Sequence, residues 1–138
     1  MELPEFKPEA GIKVREIAQP TLGPDQERWR YSDSQDVPPG YNLTTDMYQV
    51  PTGKRLLIFA GCVSDDQANW LQKTLILQKI IDTYWVFDGG HFLRTLKFYW
   101  PLGYELQAGQ WFAASFKNNS TSTANFIWAF TGLLESMK

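Results

Sequence analysis

Arg55-Leu56-Leu57-Ile58-Phe59-Ala60-Gly61-Cys62-Val63-Ser64 is the stretch on which the fold turns. It is enclosed by Pro51-Thr52-Gly53-Lys54 on one side and Ser64-Asp65-Asp66 on the other, both turn chemistries, so the run reads as a strand. It is apolar on both faces: Leu56, Ile58, Ala60 and Cys62 point one way, and Leu57, Phe59, Gly61 and Val63 the other. The closing run 126–134 repeats the pattern, with Phe126, Trp128, Phe130 and Leu134 against Ile127, Ala129, Thr131 and Leu133. A two-layer sandwich covers only one face of each sheet. The second face therefore calls for cover from the rest of the chain or from a neighbouring subunit. Central strands of small barrels are the other setting for such runs.

Outward from this strand, period-two patterning begins at Met47. It predicts strands over 47–50, 55–64, 70–78, 82–87, 92–100, 104–106, 110–117 and 125–134. The Leu, Gln and Lys content of 70–81 also fits a helix; Leu75-Ile76-Leu77 between Thr74 and Gln78 favours strand. Asp88-Gly89-Gly90, Pro101-Leu102-Gly103, Gln107-Ala108-Gly109 and Asn118-Asn119-Ser120-Thr121-Ser122 read as turns, the last as a flexible connection. About eight short strands at regular spacing make the body, 47–138, an all-β antiparallel sandwich or barrel.

The first 46 residues are different. Six of the eight prolines lie here, and short apolar words are separated by prolines and charges: Leu3, Phe6, Ile12, Val14, Ile17, Leu22, Trp29 and Tyr31. Proline fixes φ and removes a donor, so residues 1–46 are expected as an extended arm lying along something else, closed by Val37-Pro38-Pro39-Gly40-Tyr41. Charge divides the same way. Residues 1–50 carry five Lys/Arg and nine Asp/Glu, and the remainder eight and six. No clustered basic face suggests nucleic acid, and no apolar stretch reaches the roughly 20 residues of a membrane helix. The start, MELPEFKPEAG, shows neither a basic n-region nor an apolar h-region, so synthesis in the cytoplasm is expected.

Chemistry-bearing residues are sparse. The single histidine, His91, is expected at a loop tip beside Asp88; one histidine builds no multi-histidine metal site, and no serine or cysteine stands in a nucleophile setting. Asp65-Asp66 is expected to serve its turn rather than hold calcium, and the single cysteine, Cys62, to be a small buried hydrophobe. No catalytic residue, cofactor or metal site is predicted. Aromatics crowd between Tyr84 and Trp111, and alternating aromatics either fill a core or, when exposed, stack on sugar rings. Trp85 and Trp100 are the candidates for such ligand binding.

Tyr48-Gln49-Val50-Pro51-Thr52-Gly53-Lys54-Arg55-Leu56 resembles the Tyr-x-Val-Pro-x-Gly-Lys opening of many tailed-phage virion β-sandwich proteins. Pro101-Leu102-Gly103-Tyr104-Glu105-Leu106-Gln107-Ala108-Gly109-Gln110, Asn118-Asn119-Ser120 and Thr131-Gly132-Leu133-Leu134-Glu135 resemble their later half. The resemblance spans roughly residues 47–136 and rests on turn spacing. It implies a jelly-roll and a non-enzymatic structural role, most like a head decoration (cement) protein on the capsid exterior. The partners so implied are the major capsid protein and neighbouring copies, as a homotrimer. The arm would then latch onto adjacent subunits through Leu3, Phe6, Ile12, Val14, Ile17, Trp29 and Tyr31. The alternative within the same resemblance is a tail or fibre module that binds a receptor or glycan.

Overall fold

Residues 22–67 and 69–137 are described by the computed structural model. They contain nine strands and no helix: β1 (Gln26–Val37), β2 (Asn42–Thr44), β3 (Tyr48–Gln49), β4 (Lys54–Asp65), β5 (Gln72–Ile80), β6 (Thr83–Phe92), β7 (Thr95–Leu106), β8 (Trp111–Lys117) and β9 (Ala124–Ser136). Two antiparallel sheets pack face to face as a β-sandwich. The first has the order β1-β9-β4-β7; the second has β2-β8-β5-β6, with β3 also on β8.

Aromatic side chains fill the space between the sheets. Phe112 and Phe116 from β8 meet Phe126, Trp128 and Phe130 from β9, all essentially buried. Phe112 packs edge-on to Phe130 at 5.0 Å, and Phe116 stacks on Phe126 at 5.3 Å. Burying a side chain of this size contributes roughly 2–3 kcal/mol, so these five rings set the register of β8 against β9.

Four expectations need correction. First, the arm boundary at 46/47 falls inside the sandwich. Residues 26–37 pair with β9 at every position from Gln26↔Glu135 to Val37↔Ala124, so 22–46 belongs to the body. Its inward positions are Trp29, Tyr31 and Val37, with Asp33 and Gln35 between them where the layers open. That polar gap broke the apolar alternation which a strand reading needs.

Second, Asp88-Gly89-Gly90 is not a turn; it continues β6, opposite Thr74, Leu75 and Ile76. A Cβ on Gly89 would lie 2.8 Å from the Thr74 carbonyl oxygen, so glycine here permits close approach of two strands rather than reversal. Third, Pro101-Leu102-Gly103 does not separate two strands. Tyr99 faces Ala60 and Tyr104 faces Ile58, so β7 runs through it as a bulge. Proline is tolerated because β7 is an edge, and Gly103 takes the positive φ of 81° that the bulge requires.

Fourth, the faces of β4 exchange part-way. Phe59 is an extra residue against β9, where Ile58 faces Gly132 and Ala60 faces Thr131. The buried set therefore changes from Leu56 and Ile58 to Val63, and Ala60 and Cys62 turn outward. The bulge brings the backbones close: a Cβ on Gly132 would sit 2.1 Å from the Leu57 carbonyl oxygen.

The 118–122 loop is held by the buried Asn118. Its amide donates to the carbonyls of Val37 (2.8 Å) and Ser122 (2.9 Å), and its oxygen accepts from Ser120 N, Ser120 Oγ and Gln72 Nε2. Every polar atom of that side chain is satisfied, so this connection is a built corner rather than a loose one.

Candidate docking face

The outer face of the first sheet is a grid whose rows follow from strand register. Arg28, Leu133, Leu57 and Glu105 form one row, and Arg30, Thr131, Ala60 and Tyr99 the next. Ser32, Ala129, Cys62 and Lys97 form the third, and Ser34, Ile127, Ser64 and Thr95 the last. Small side chains occupy the two central strands in the middle rows, and Arg30, Tyr99 and Lys97 stand on the edge strands beside the small Ser32. The result is a shallow hollow of about 450 Å³ around Ala60, Cys62, Ala129 and Thr131, walled by Lys97 and by Tyr99, which is 75% exposed. Cys62 is thus partly exposed on the floor of this hollow, against the expectation of a buried hydrophobe. These rows hold Arg28, Arg30 and Lys97 with one acid, Glu105, which accepts from Arg55 and Gln107; the rows beyond them on the same face add Glu135, which accepts from Arg55 and Gln26, and the exposed Asp36.

The second sheet treats its outer face differently. Lys79 Nζ lies over the rings of Tyr84 (5.3 Å) and Trp111 (5.0 Å), and the Tyr84 hydroxyl reaches to 3.9 Å from Met47 Sδ. Beneath this roof Ala113, an outward position of β8, is buried. The second sheet covers this part of its outer face with its own side chains; further along, a hollow of about 440 Å³ opens on the same face, lined by Asn42, Thr44, Lys73, Leu75, Ser115 and Lys117 and so mostly polar. The hollow of the first sheet differs in having an apolar floor.

No family model matches the chain, and no curated protein and no solved structure matches it.

The residues singled out in the sequence are scattered across the molecule. Leu3, Phe6, Ile12, Val14 and Ile17 lie outside the described residues. Trp29 and Tyr31 belong to the core instead of an arm. Trp29 is 7% exposed and stacks on Tyr31 at 5.9 Å, and both rings meet Phe112 edge-on. The Tyr31 hydroxyl donates to the Asp46 carbonyl and lies 2.5 Å from Thr45 Oγ1; burial pushes its phenol pKa up. These contacts line a polar groove of about 460 Å³ between β1 and β2, with Asp33 and Asp46 on its walls.

Of the two tryptophans proposed for stacking, Trp85 is 56% exposed on β6. Trp100 is half-buried: it stacks on Phe98 at 5.6 Å, and its indole N–H donates to Asp88 Oδ2 at 3.0 Å. Phe98 covers one face of its ring. Asp88 is thereby committed to Trp100 and to the Gly89 amide, and His91 is not at a loop tip but exposed within β6 opposite Lys73. Asp66 ties the end of β4 to β9, accepting from Asn125 N at 2.9 Å, and Asp65 belongs to β4 itself. Among the described residues no group of three or more His, Cys, Asp or Glu converges as a metal site would require.

The sequence carried one usable sign of the hollow: strands 55–64 and 126–134 apolar on both faces. Which residues line it was not legible, because the Phe59 bulge moves Ala60 and Cys62 outward.

Proposed function

We propose that the chain is a non-enzymatic assembly subunit that docks through the outer face of its first sheet. Among such roles, capsid decoration on the exterior of a virion fits best. The observation that carries this reading is the contrast between the two sheets: one outer face is partly roofed by its own side chains and its remaining hollow is lined mostly by polar and charged groups, while the hollow on the other has an apolar floor. We read the strand orders β1-β9-β4-β7 and β2-β8-β5-β6 as those of a jelly-roll, the architecture the phage resemblance implies.

The chemistry of the hollow describes its occupant. An apolar knob fits Ala60, Cys62, Ala129 and Thr131, and acidic flanks suit Lys97 at its wall together with Arg28 and Arg30 on the edge strand β1. Four strands at about 4.8 Å spacing and four rows of about 7 Å give a face of roughly 540 Å². That is about two-thirds of the 800 Å² per partner of an ordinary stable interface. A single contact of this size is weak; repetition over a lattice of capsid subunits makes it effective. The test is co-sedimentation of the full-length chain with expanded heads of the virus that encodes it. Ala129→Arg fills the hollow from an exposed sheet face and is expected to abolish binding with an unchanged urea midpoint. Undiminished binding by this variant rules the face out.

One observation favours a second reading. The exposed indole of Trp85 offers a single stacking surface for a sugar ring. Glycan-array binding lost in Trp85→Ala would establish it, and a blank array at high protein concentration would remove it.

A further inference from the structure

A sandwich has four sheet edges, and three of these are blunted. β7 is broken by the bulge at Pro101, β6 by a register shift that leaves Phe87 unpaired, and the β2/β3 edge by its strands of three and two residues. Such devices keep an edge from templating another strand. β1 has none of them. It runs twelve residues with unbroken register against β9, without proline or bulge, and its other side bonds no strand among the described residues. Positions 32–36 and Glu27, Arg28 and Arg30 are all exposed.

The direction of the free groups is fixed by one contact. The Ser34 amide donates to the Asp33 side chain at 2.8 Å, a local bond that marks it as turned away from β9. Backbone groups of alternate residues point to the same side of an antiparallel strand. Arg28, Arg30, Ser32, Ser34 and Asp36 therefore present their N–H and C=O groups off the sheet.

We infer that β1 pairs antiparallel with β1 of a second copy about a two-fold axis, joining two four-stranded sheets into one. An isologous contact sets each residue against its symmetry-related position, and outward-facing residues must meet outward-facing ones. Charge selects the register. With Ser32 opposite Ser32 of the partner subunit, Arg30 faces Ser34 of the partner subunit and Arg28 faces Asp36 of the partner subunit, twice over. An axis through Arg30 sets it against Arg30 of the partner subunit; an axis through Asp33 brings Arg30 opposite Asp36 of the partner subunit, but sets Asp33 against Asp33 of the partner subunit in a non-hydrogen-bonded pair, where opposing side chains are closest. Like charges directly opposite destabilise a sheet. Axes through Tyr31 or Ser34 bring no repulsion but no opposite-charge pair either. Neither the hollow nor its occupant enters this argument, so it stands apart from the proposed capsid role.

Sedimentation equilibrium of the full-length chain tests it. A two-fold dimer is expected, weakened about tenfold or more by Arg28→Asp or by Asp36→Arg, each of which sets like charges in opposition at two places. The double variant restores opposite charges and is expected to recover the dimer. Asp36 also accepts from Asn125 at 2.9 Å. Should its replacement impair folding, Ser32→Cys in a Cys62→Ala background carries the test: oxidised glutathione should link it to itself. Three results overturn the inference: a monomer at all concentrations, a trimer, or a dimer whose affinity neither charge change alters and which the Ser32→Cys variant does not crosslink.

Discussion

At the residue scale, two glycines that look alike in sequence do different work. Gly132 lets β9 lie against the bulge of β4, where a methyl group would meet the Leu57 carbonyl oxygen at 2.1 Å. Gly109 has open space but a positive φ of 83°. Gly132→Ala is expected to destabilise by about 2–3 kcal/mol through overpacking, and Gly109→Ala by about 1 kcal/mol through backbone strain alone; urea denaturation measures both. Asp65 is a second case. Its carboxylate oxygens are buried without a well-formed hydrogen bond, although the Gln72 amide and the Gln67 N–H lie close enough to offset part of the cost, and burial holds its pKa above the ordinary value. The folded state then takes up the proton at higher pH than the unfolded chain does. This group's contribution therefore improves as pH falls through the raised value. Asp65→Asn should stabilise the protein at neutral pH and remove that part of its pH dependence, as read from urea midpoints across an acid series.

At the scale of elements, β1 carries the largest difference between sequence and structure. Strands β4, β5, β8 and β9 were legible because alternation and turn residues agree there. β1 was not, because Asp33 and Gln35 occupy inward positions at an open groove and the apolar signal lapses. The Gly89-Gly90 and Pro101-Leu102-Gly103 words misled for a related reason: glycine and proline punctuate turns, but they also mark close strand approach and edge bulges. Trp29→Ala tests the status of β1 as a core element. A loss of about 3–4 kcal/mol is expected for a buried aromatic, against under about 0.5 kcal/mol for exposed Trp85→Ala. The same strand is tied at its start. Glu135 on β9 accepts from Gln26 on β1 (2.7 Å) and from Arg55 on β4 (2.7 Å), and these bonds hold its carboxyl below the usual range. Its contribution is therefore full above the unfolded carboxylate value and lost as pH falls through the lowered folded value, opposite in sign to Asp65. Glu135→Gln should flatten this part of the acid limb in melting curves taken between neutral pH and about pH 3, the region where carboxylates titrate.

At the scale of the whole molecule, the body begins well before residue 46. Deleting residues 1–30 removes Trp29 and the first five residues of β1, and the remainder is expected to lose its cooperative melting transition by circular dichroism. A folded product would show that β1 is dispensable and would return the boundary to where the prolines suggested it. The pairing of β1 with β9 has a further consequence in time. Gln26 and its partner Glu135 are separated by 109 positions along the chain. Ribosomes add roughly 5–20 residues each second, so β1 emerges and waits about 5–20 seconds before the strand that closes it has been made. During that interval the twelve residues of β1 have neither neighbour nor core, and Trp29 and Tyr31 are in water. Newly made chains on adjacent ribosomes then hold the same unsatisfied strand at high local concentration, so a message crowded with ribosomes is where first encounters between copies would occur.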